Sequence, residues 1–541
     1  SAAGFSLFLL ARWFFRRGRV LNLLGAVVLA ILALDPQAVF DPSFQLTVLS
    51  VAAIGGLAVP LNERFIEPYR QALRRLGNPD LDAKQPPAMA ELRIEVRLIS
   101  ETAALLTRSR QSWWSACFQA GGTVWLWAVE TVLISACIQA ALAVPMIFYF
   151  HRISVTSVLA NLTVSPALSV AVPAAFLACL TGIGPVVQIT RLLLWWSGAA
   201  VEFWASLESA WRTPDPPVAL AVFCLVSLTI LGCCLCVRTR PGITWFAAAA
   251  ALTGVAAVST LHVAPILHPG ELELSIIDVG QGDSLLVVAP DGKTLLVDGG
   301  GAPSFDPRFK PALDIGEDVV SPYLWRRGIS RLDVIAVTHL HADHAAGLPA
   351  LIRNFRPAEL WTGGLAPGSL TEDVLRAARS SGTRVVQLNE SVAVRLGSAR
   401  VTVLAPAGEY RPGASASNSD SLVLRIAHGS RSFLLTGDAD HRVETALMAH
   451  PETLEADVLK VAHHGSRSSS QTDFLAAVRP LFAAISAGAD NSYGHPHPEL
   501  VERLNAAGCR SWQTDRSGLV SFYTNGRRIR MENSFQPDEQ P

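Results

Sequence analysis

Hydrophobic positions fall along the 541-residue chain in two patterns, and the change comes near residue 265. Before it, apolar residues run on almost unbroken. Val20–Leu34, Phe44–Leu61, Trp125–Phe150, Leu162–Ile183, Val218–Val237 and Ile243–Val263 carry a single charged side chain between them, Glu130. Crossing about 30 Å of hydrocarbon takes about 20 helical residues, so these runs predict six membrane helices, with Val20–Leu34 somewhat short. A buried core helix would explain one such run but not six in one half. Gln45, Gln139 and Asn161 lie within the runs, either as helix-packing contacts or as channel walls. Ser1–Phe15 is a shorter apolar run with no initiator Met and too little upstream charge for a signal peptide. It reads as the remainder of a helix that starts upstream. A polar insert at about 62–122 contains an amphipathic stretch, 88–110, with Ile94, Leu98, Ala103 and Leu106 near helical period. Such a helix either lies on lipid headgroups or packs, solvated, on the bundle.

From Glu271 the period shortens to β-rich runs bounded by turns: Leu272–Val279, Ser284–Val288, Thr294–Val297 and Asp333–Val337. Asp291-Gly292 between the second and third is a hairpin signal. Helices are predicted at about 345–355 and 370–381, then strands through Val385–Val403 and Ser421–Leu435. Helices near 440–450 and 471–478 and a strand at Phe482–Ser486 follow. Strands come first, helices alternate later, and the order repeats, which is the pattern of two sheets inside and helices outside. The fold class is therefore multi-domain, with a polytopic α-helical membrane bundle over residues 1–265 and an α/β sandwich over 266–541.

Composition sharpens this division. Half the residues are hydrophobic and 16% are charged, where a soluble chain carries about 25%; disordered, fibrous and plain soluble proteins are excluded. The net charge of −1 hides two materials, because residues 1–269 hold 18 Lys+Arg and 13 Asp+Glu (+5) and the rest 26 and 32 (−6). Basic residues cluster at Arg12, Arg16, Arg17 and Arg19, throughout the insert, and at Arg238 and Arg240. Such clusters favour the cytoplasmic face. With all three there, the Trp-rich stretch 187–209 supplies a crossing or re-entrant pair, and 243–263 carries the second domain to the non-cytoplasmic side of the cytoplasmic membrane. If 187–209 lies on the surface instead, the side reverses. The eight cysteines show no thiolate-zinc or disulfide spacing and read as small buried hydrophobes.

The chemistry gathers at strand ends. Val334–Thr338 leads into His339-Leu340-His341-Ala342-Asp343-His344, three imidazoles and a carboxylate within six residues. Such a group converges on a multiply ligated ion, and nitrogen and oxygen donors suit zinc or manganese. Phe433–Thr436 leads into Gly437-Asp438, and Val458–Ala462 into His463-His464-Gly465-Ser466, supplying further ligands of the same kind.

HLHADH, Val297-Asp298-Gly299-Gly300, Thr436-Gly437-Asp438 and His463 resemble the metallo-β-lactamase fold, an αββα sandwich. IIDVGQGDS (Ile276–Ser284), LLVDGGG (Leu295–Gly301), LKVAHHGSRSSS (Leu459–Ser470), NSYGHPHPE (Asn491–Glu499), LDPQAVFDPSFQLT (Leu34–Thr47) and FHRISVTSVLANL (Phe150–Leu162) are similar to the ComEC family of competence proteins. That resemblance implies a multi-pass DNA channel of natural transformation in the cytoplasmic membrane, with one DNA strand, membrane lipids and other competence proteins as partners. It also implies an N-terminal extracytoplasmic domain and first membrane helices beyond the given sequence.

Carried onto these positions, the resemblance implies two divalent ions, zinc or manganese. His339 and His341 would bind one, Asp343, His344 and His463 the other, and Asp438 would bridge them. Asp298 would fix the HLHADH loop. The fold's usual further histidine is missing, since the corresponding stretch reads Ser417-Asn418-Ser419-Asp420-Ser421; an oxygen of Asn418 or Asp420 would complete the first site. Asp343 and Asp438 would orient the attacking water. His495 or His497 is expected either to protonate the leaving group or to be structural. His464 is expected at a phosphate or behind a ligand, with Ser466 beside the substrate, and Asp278, Gln281 and Asp283 either shape a hairpin or position substrate.

The domain's net charge of −6 repels a polyanion, and Arg308, Lys310, Arg326, Arg327, Arg467 and Arg527-Arg528-Ile529-Arg530 form no continuous basic stripe. DNA as substrate therefore comes from the resemblance. Three functions stay open. One is a channel whose outer nuclease degrades the non-transported strand, another a transporter whose hydrolase domain only binds, and the third a membrane-tethered hydrolase of small esters or lactams.

Overall fold

The long apolar runs become long helices. A computed structural model describes residues 20–208, 212–261, 264–302, 313–390 and 392–534. The Ser1–Phe15 run, the arginines at 12, 16, 17 and 19, and Arg308 and Lys310 lie outside the described residues. The chain divides into two compact units, Ser1–Val263 and Ala264–Pro541.

In the first unit, five helices are long and apolar enough to cross a membrane: Pro42–Phe65, Gln111–Phe150, Ser157–Thr181, Val218–Val237 and Pro241–Thr260. Val20–Leu34, expected as a sixth, has 15 residues, about 22 Å of helix against about 30 Å of hydrocarbon. The stretch expected at 187–209 is one continuous helix, Gly184–Leu207, of 24 residues. The protein is thus a multi-pass membrane protein. Its polar intramembrane side chains make packing contacts: Asn161 donates to Ser135 Oγ at 3.0 Å, Gln139 to Ser157, and Tyr149 to Gln45 Oε1 at 2.9 Å. Glu130 is matched by Arg70 and by Asn62 Nδ2 at 2.7 Å. Cys117, Cys179, Cys233 and Cys236, expected to be buried, are exposed on the helices, whereas Cys137, Cys224, Cys234 and Cys509 are buried.

The insert holds the expected helix, Pro87–Thr107. Its inward face is mixed, with Arg93, Ser100 and Ala104 buried and Leu92, Val96 and Ala103 half-buried. Arg93 is fully buried and donates to the carbonyls of Ala72, Arg74, Arg75 and Asn78, with Asp82 2.6 Å from its Nε. Ile94, Leu98 and Leu106 face outward, exposed by 46, 55 and 81%.

The second unit is built on two sheets. The first takes β1 (Leu272–Ile276), β2 (Leu285–Val288), β3 (Thr294–Val297), β4 (Val334–Val337), β5 (Glu359–Thr362) and β6 (Arg384–Gln387). The chain then changes sheets for β7 (Ala393–Leu396), β8 (Ala399–Ala405), β9 (Val423–His428), β10 (Arg431–Leu435), β11 (Val458–Lys460), β12 (Phe482–Ile485) and β13 (Arg510–Gln513). It returns to the first sheet with β14 (Val520–Thr524) and β15 (Ile529–Asn533). The orders are β15-β14-β1-β2-β3-β4-β5-β6 and β13-β12-β11-β10-β9-β8-β7. In each sheet antiparallel pairing gives way to parallel, at β3/β4 in one and β10/β11 in the other.

Because successive strand residues face opposite ways, each strand feeds two cores. Leu285, Phe433, Leu435 and Phe522 fill the space between the sheets. Outside the first sheet, Ile335 packs with Leu351 and Phe355 of helix Leu348–Phe355 and Val374 of helix Ser369–Ser381. Outside the second, Leu434 and Leu459 pack with Phe474 and Leu500 of helices Thr472–Val478 and Pro498–Ala506. The αββα order expected from the sequence is the one observed. The expected strand series Val385–Val403 is split between sheets, and β5 and β13–β15 go beyond the expected strands.

Candidate metal centre

The residues of the centre arise where each sheet turns from antiparallel to parallel. There, neighbouring strands end side by side and point their following loops at the same place. β3 is followed by Asp298, fully buried with φ of +60°. Its carboxylate accepts from Thr338 N at 2.8 Å and Thr338 Oγ1 at 2.7 Å, and lies 2.9 Å from His344 Nδ1. This grip aims His344 Nε2 at Asp438 Oδ1, 3.2 Å away. The glycines around it allow the short helix Ala342–Ala345 to sit against the loops. A Cβ on Gly301 would stand 2.0 Å from the carbonyl oxygen of Ala342, and one on Gly282 2.2 Å from that of Asp343.

From the second sheet, β10 delivers Asp438 and β11 delivers His463 and His464. Gly437 (φ +53°) lies so close to Thr338 that a Cβ would meet its side chain at 2.9 Å. His463, His464 and Gly465 are all left-handed, with φ of +51°, +51° and +85°. Each non-glycine residue held there costs about 1–3 kcal/mol, offset by tight anchoring. Ser466 N donates to His463 O at 2.8 Å and His497 N to Gly465 O at 2.9 Å. Glu444 accepts from the Ser470 and Gln471 amides.

The result is a ring of ligand atoms. Asp343, His344, Asp438 and His464 each offer one within 4.8 Å of the others. His464 Nε2 is 3.4 Å from Asp343 Oδ2 and 3.6 Å from Asp438 Oδ2. On the other side of Asp438, His339 Nε2 and His341 Nδ1 face each other at 2.9 Å, with His339 Nε2 4.0 Å from Asp438 Oδ2.

Divalent ions fit this donor set. The rear nitrogens of both central imidazoles are engaged, His344 Nδ1 by Asp298 and His464 Nδ1 by Ser486 O at 2.9 Å. Their front atoms face one another and the neighbouring carboxylates at 3.2–3.6 Å, and His344 Nε2, His464 Nε2 and Asp438 Oδ1 are buried without a well-aligned hydrogen bond. Buried polar groups are normally satisfied, and an engaged rear nitrogen is how proteins orient metal-binding histidines. Titration tells the same story. Burial favours neutral imidazoles, but Asp438 and its fellow carboxylates outweigh it, raising His344 well above its ordinary value and His464 to about 10. Burial also opposes ionisation of Asp438, and His344 and His464 overcome it, holding the carboxyl well below its usual range. The cluster is thus a field that calls for positive charge. His339, lowered by burial and by His344, stays in the neutral, ligating form.

The other expected residues fall as follows. His464 Nε2 lies in the ring, and His463 Nε2, expected as a ligand, lies 3.9 Å from Asp438 Oδ2, with its ring against Asn418 Nδ2 at 3.2 Å. Asp420 is taken up by Ser417 N and the Tyr410 hydroxyl, at 2.8 and 2.6 Å. Asn418 Oδ1 is buried without a hydrogen-bond partner. His495, expected as a proton donor, is lowered to about 4 by burial and by His463 and His464, which leaves it neutral at neutral pH. His497 caps helix Pro498–Ala506 through Glu499 N, and Ser466 Oγ lies 3.1 Å from Ser468 Oγ. Asp278 accepts from Gly280 N, and Gln281 from Gly488 N.

Lys460 was not foreseen. Fully buried, it donates to Asp283 Oδ2 at 2.7 Å, and Asp283 Oδ1 lies 3.5 Å from His464 Nδ1. A lysine inside the apolar run Val458–Ala462, with an acid at 283 to meet it, was the available signal.

A competence protein family model matches residues 1–238, and a metallo-β-lactamase superfamily model matches residues 277–488. ComE operon protein 3 of Bacillus subtilis is 33% identical over 273 residues, 49% of this chain and 35% of that protein. Competence protein ComA of Neisseria gonorrhoeae is 29% identical over 253 residues (47% and 32%), and recombination protein 2 of Haemophilus influenzae 31% over 270 (49% and 31%). The matched region therefore spans about a third of each relative's length. With fold and site, these matches define a membrane protein of the competence class that carries a metallo-β-lactamase-superfamily domain. The two matches together give the pairing of domains expected from the motifs that resemble the ComEC family.

Two predictions follow from the supports behind the ring. Asp298→Asn turns an amide donor toward His344 Nδ1–H, and should weaken metal retention about 10–100-fold in chelator competition; unchanged retention would show that Asp298 does not orient the ligand. Glu444, buried, is raised from 4.5 to about 7. Its folded value exceeds its unfolded one, so the stability it contributes is complete below pH 4.5 and is lost as pH rises through about 7. The slope is on the order of 1.4 kcal/mol per pH unit. The thermal midpoint of wild type relative to Glu444→Gln should fall between pH 5 and 8, and parallel curves would contradict the assignment.

Proposed function

We propose that this chain takes part in DNA uptake, and that its second domain is a metal-dependent phosphodiesterase degrading the strand that is not transported. The observation that carries the hydrolase reading is the ring of buried, unsatisfied donor atoms on Asp438, His344 and His464. Similarity to the competence proteins supports DNA as the substrate.

Asp343, His344 and His464 would hold one divalent ion, His339 and His341 the other, with Asp438 between them, and Asn418 and His463 adjoining. Zinc suits the imidazoles, and the oxygen donor of Asn418 in place of a histidine suits manganese. Such ions supply Lewis acidity and charge neutralisation at phosphorus. The chain's own residues do the positioning. Asp343, whose side chain is 21% exposed, reaches the cleft and accepts a hydrogen bond from the incoming water. Asp298 and Ser486 keep the two central imidazoles turned inward. His495, neutral, offers a hydrogen bond to the substrate rather than a proton to its leaving group, which solvent in the cleft protonates.

The absent histidine gives a second reading its footing, a domain that binds DNA without cutting it. One assay separates them. The purified full chain, supplied with manganese or zinc, should degrade linear DNA, and His341→Ala or Asp343→Ala should reduce the rate by on the order of 10²–10⁴-fold. Equal rates in all three proteins would overturn the nuclease. Fewer than one ion per chain, with DNA bound but uncut, would favour the binding domain.

We propose that the hydrolase domain lies on the non-cytoplasmic side. The clustering of arginines in the insert and at Arg238 and Arg240 supports this, as does the length of Gly184–Leu207, 24 residues or about 36 Å. The outward Ile94, Leu98 and Leu106 suit a lipid surface beneath the insert. A C-terminal alkaline phosphatase fusion should be active; activity of a cytoplasm-dependent reporter at that position would reverse the topology.

A further inference from the structure

The strand ends opposite the metal ring open on a second cavity, about 680 Å³, within the range of small-ligand sites. Arg431 at the start of β10, Arg510 at the start of β13 and Arg528 and Arg530 around the start of β15 line it. Two of these guanidiniums are fixed by acids. Arg431 Nη1 is 2.6 Å from Asp457, and Arg530 is 2.8 Å from Glu271 and lies 3.9 Å over the Tyr523 ring. Arg510 and Arg528 are exposed and have no carboxylate partner among the described residues. Glu271 is the acidic side chain among the lining residues, and it is already engaged. The cavity is therefore positive inside a domain of net −6, and a concave wall focuses that potential. Between the charges lies an apolar floor of Leu481, Phe482 and Ile529. Two free guanidiniums beside an apolar surface match a ligand with phosphate on one side and a flat apolar body on the other.

We propose that this cavity binds a nucleotide segment of the nucleic acid, phosphates on Arg510 and Arg528 and a base on the Leu481 side, as a second holding point away from the metal ring. The inference rests on the nucleic-acid reading above. Arg431 and Asp438 bracket β10, seven residues apart, or about 23 Å of extended chain at about 3.3 Å per residue. At about 3.4 Å per stacked nucleotide, a strand passing over the outside of the domain needs at least about seven nucleotides to touch both. Shorter substrates use the metal ring alone.

The test uses the full chain in detergent, with a labelled single-stranded 20-mer bound in the presence of a chelator so that nothing is cut. Arg510→Ser/Arg528→Ser should weaken binding about 25-fold at 0.1 M salt and flatten the slope of log K against log salt by about 1.4, the loss of two phosphate contacts. Arg510→Lys/Arg528→Lys should restore most of both. With metal added, the serine variant should cut a dinucleotide as wild type does but lose efficiency on the 20-mer. Arg376→Ser/Arg384→Ser, at exposed arginines already paired with Asp373 and Glu359, removes the same two charges and should change neither. Unchanged binding and slope in the serine variant, while wild type still cuts DNA, would overturn the cavity's role alone. Failure of wild type both to bind and to cut would overturn the nucleic-acid reading and this inference with it. Binding to anionic phosphatidylglycerol vesicles that the serine variant loses, with 20-mer binding intact, would make the cavity a lipid site and overturn the proposal.

Discussion

One buried carboxylate joins the two sheets of the hydrolase domain at their functional end. Asp438 belongs to the second sheet, yet its oxygens lie within 3.2–4.0 Å of imidazoles from both, His344 and His339 from one side, His463 and His464 from the other. An isolated buried carboxylate would cost far more than folding can supply. It is tolerable here because positive charge is gathered around it, on the imidazoles of the protein itself or on bound cations. The surrounding geometry serves that requirement. The left-handed turns at Asp298 and His463-His464 and the bare glycines at 282, 301 and 437 let four strand ends approach closely enough to share one carboxylate.

Behind the first layer of donors stands a second set of charges. Asp283 is held ionised against burial chiefly by Lys460, with His464 and His344 adding to it. The pair lies next to His464, so the imidazole is braced from the rear by a carboxylate, a carbonyl and, one step removed, an ammonium. Fully buried pairs contribute little net stability. Their effect is directional, because neither partner can turn away without leaving the other unpaired.

Much of this was legible in the sequence. Unbroken apolar runs and short alternating ones obey different periods, so the two halves and the αββα order could be read directly, and a cluster such as HLHADH has few uses besides ligation. Other features depended on three-dimensional neighbours. Adjacent histidines at 463 and 464 look alike in a string, and only the left-handed backbone decides that His464 turns inward. The helix Pro87–Thr107 shows its hydrophobic period plainly, yet its largest buried side chain is Arg93, because four carbonyl oxygens from the preceding segment surround it. β5 is four residues ending at a glycine pair and carries no alternation of its own; its place comes from pairing with β4 and β6.

The single acid within the six apolar runs has a consequence for the charge that this part of the membrane half carries. Glu130 is tied to Arg70 and Asn62. An elementary charge moved across the bilayer field exchanges about 2.3 kcal/mol per 100 mV. A carboxylate and a guanidinium that move together exchange none. While the pair holds, Glu130 and Arg70 add no net charge to any movement that they share.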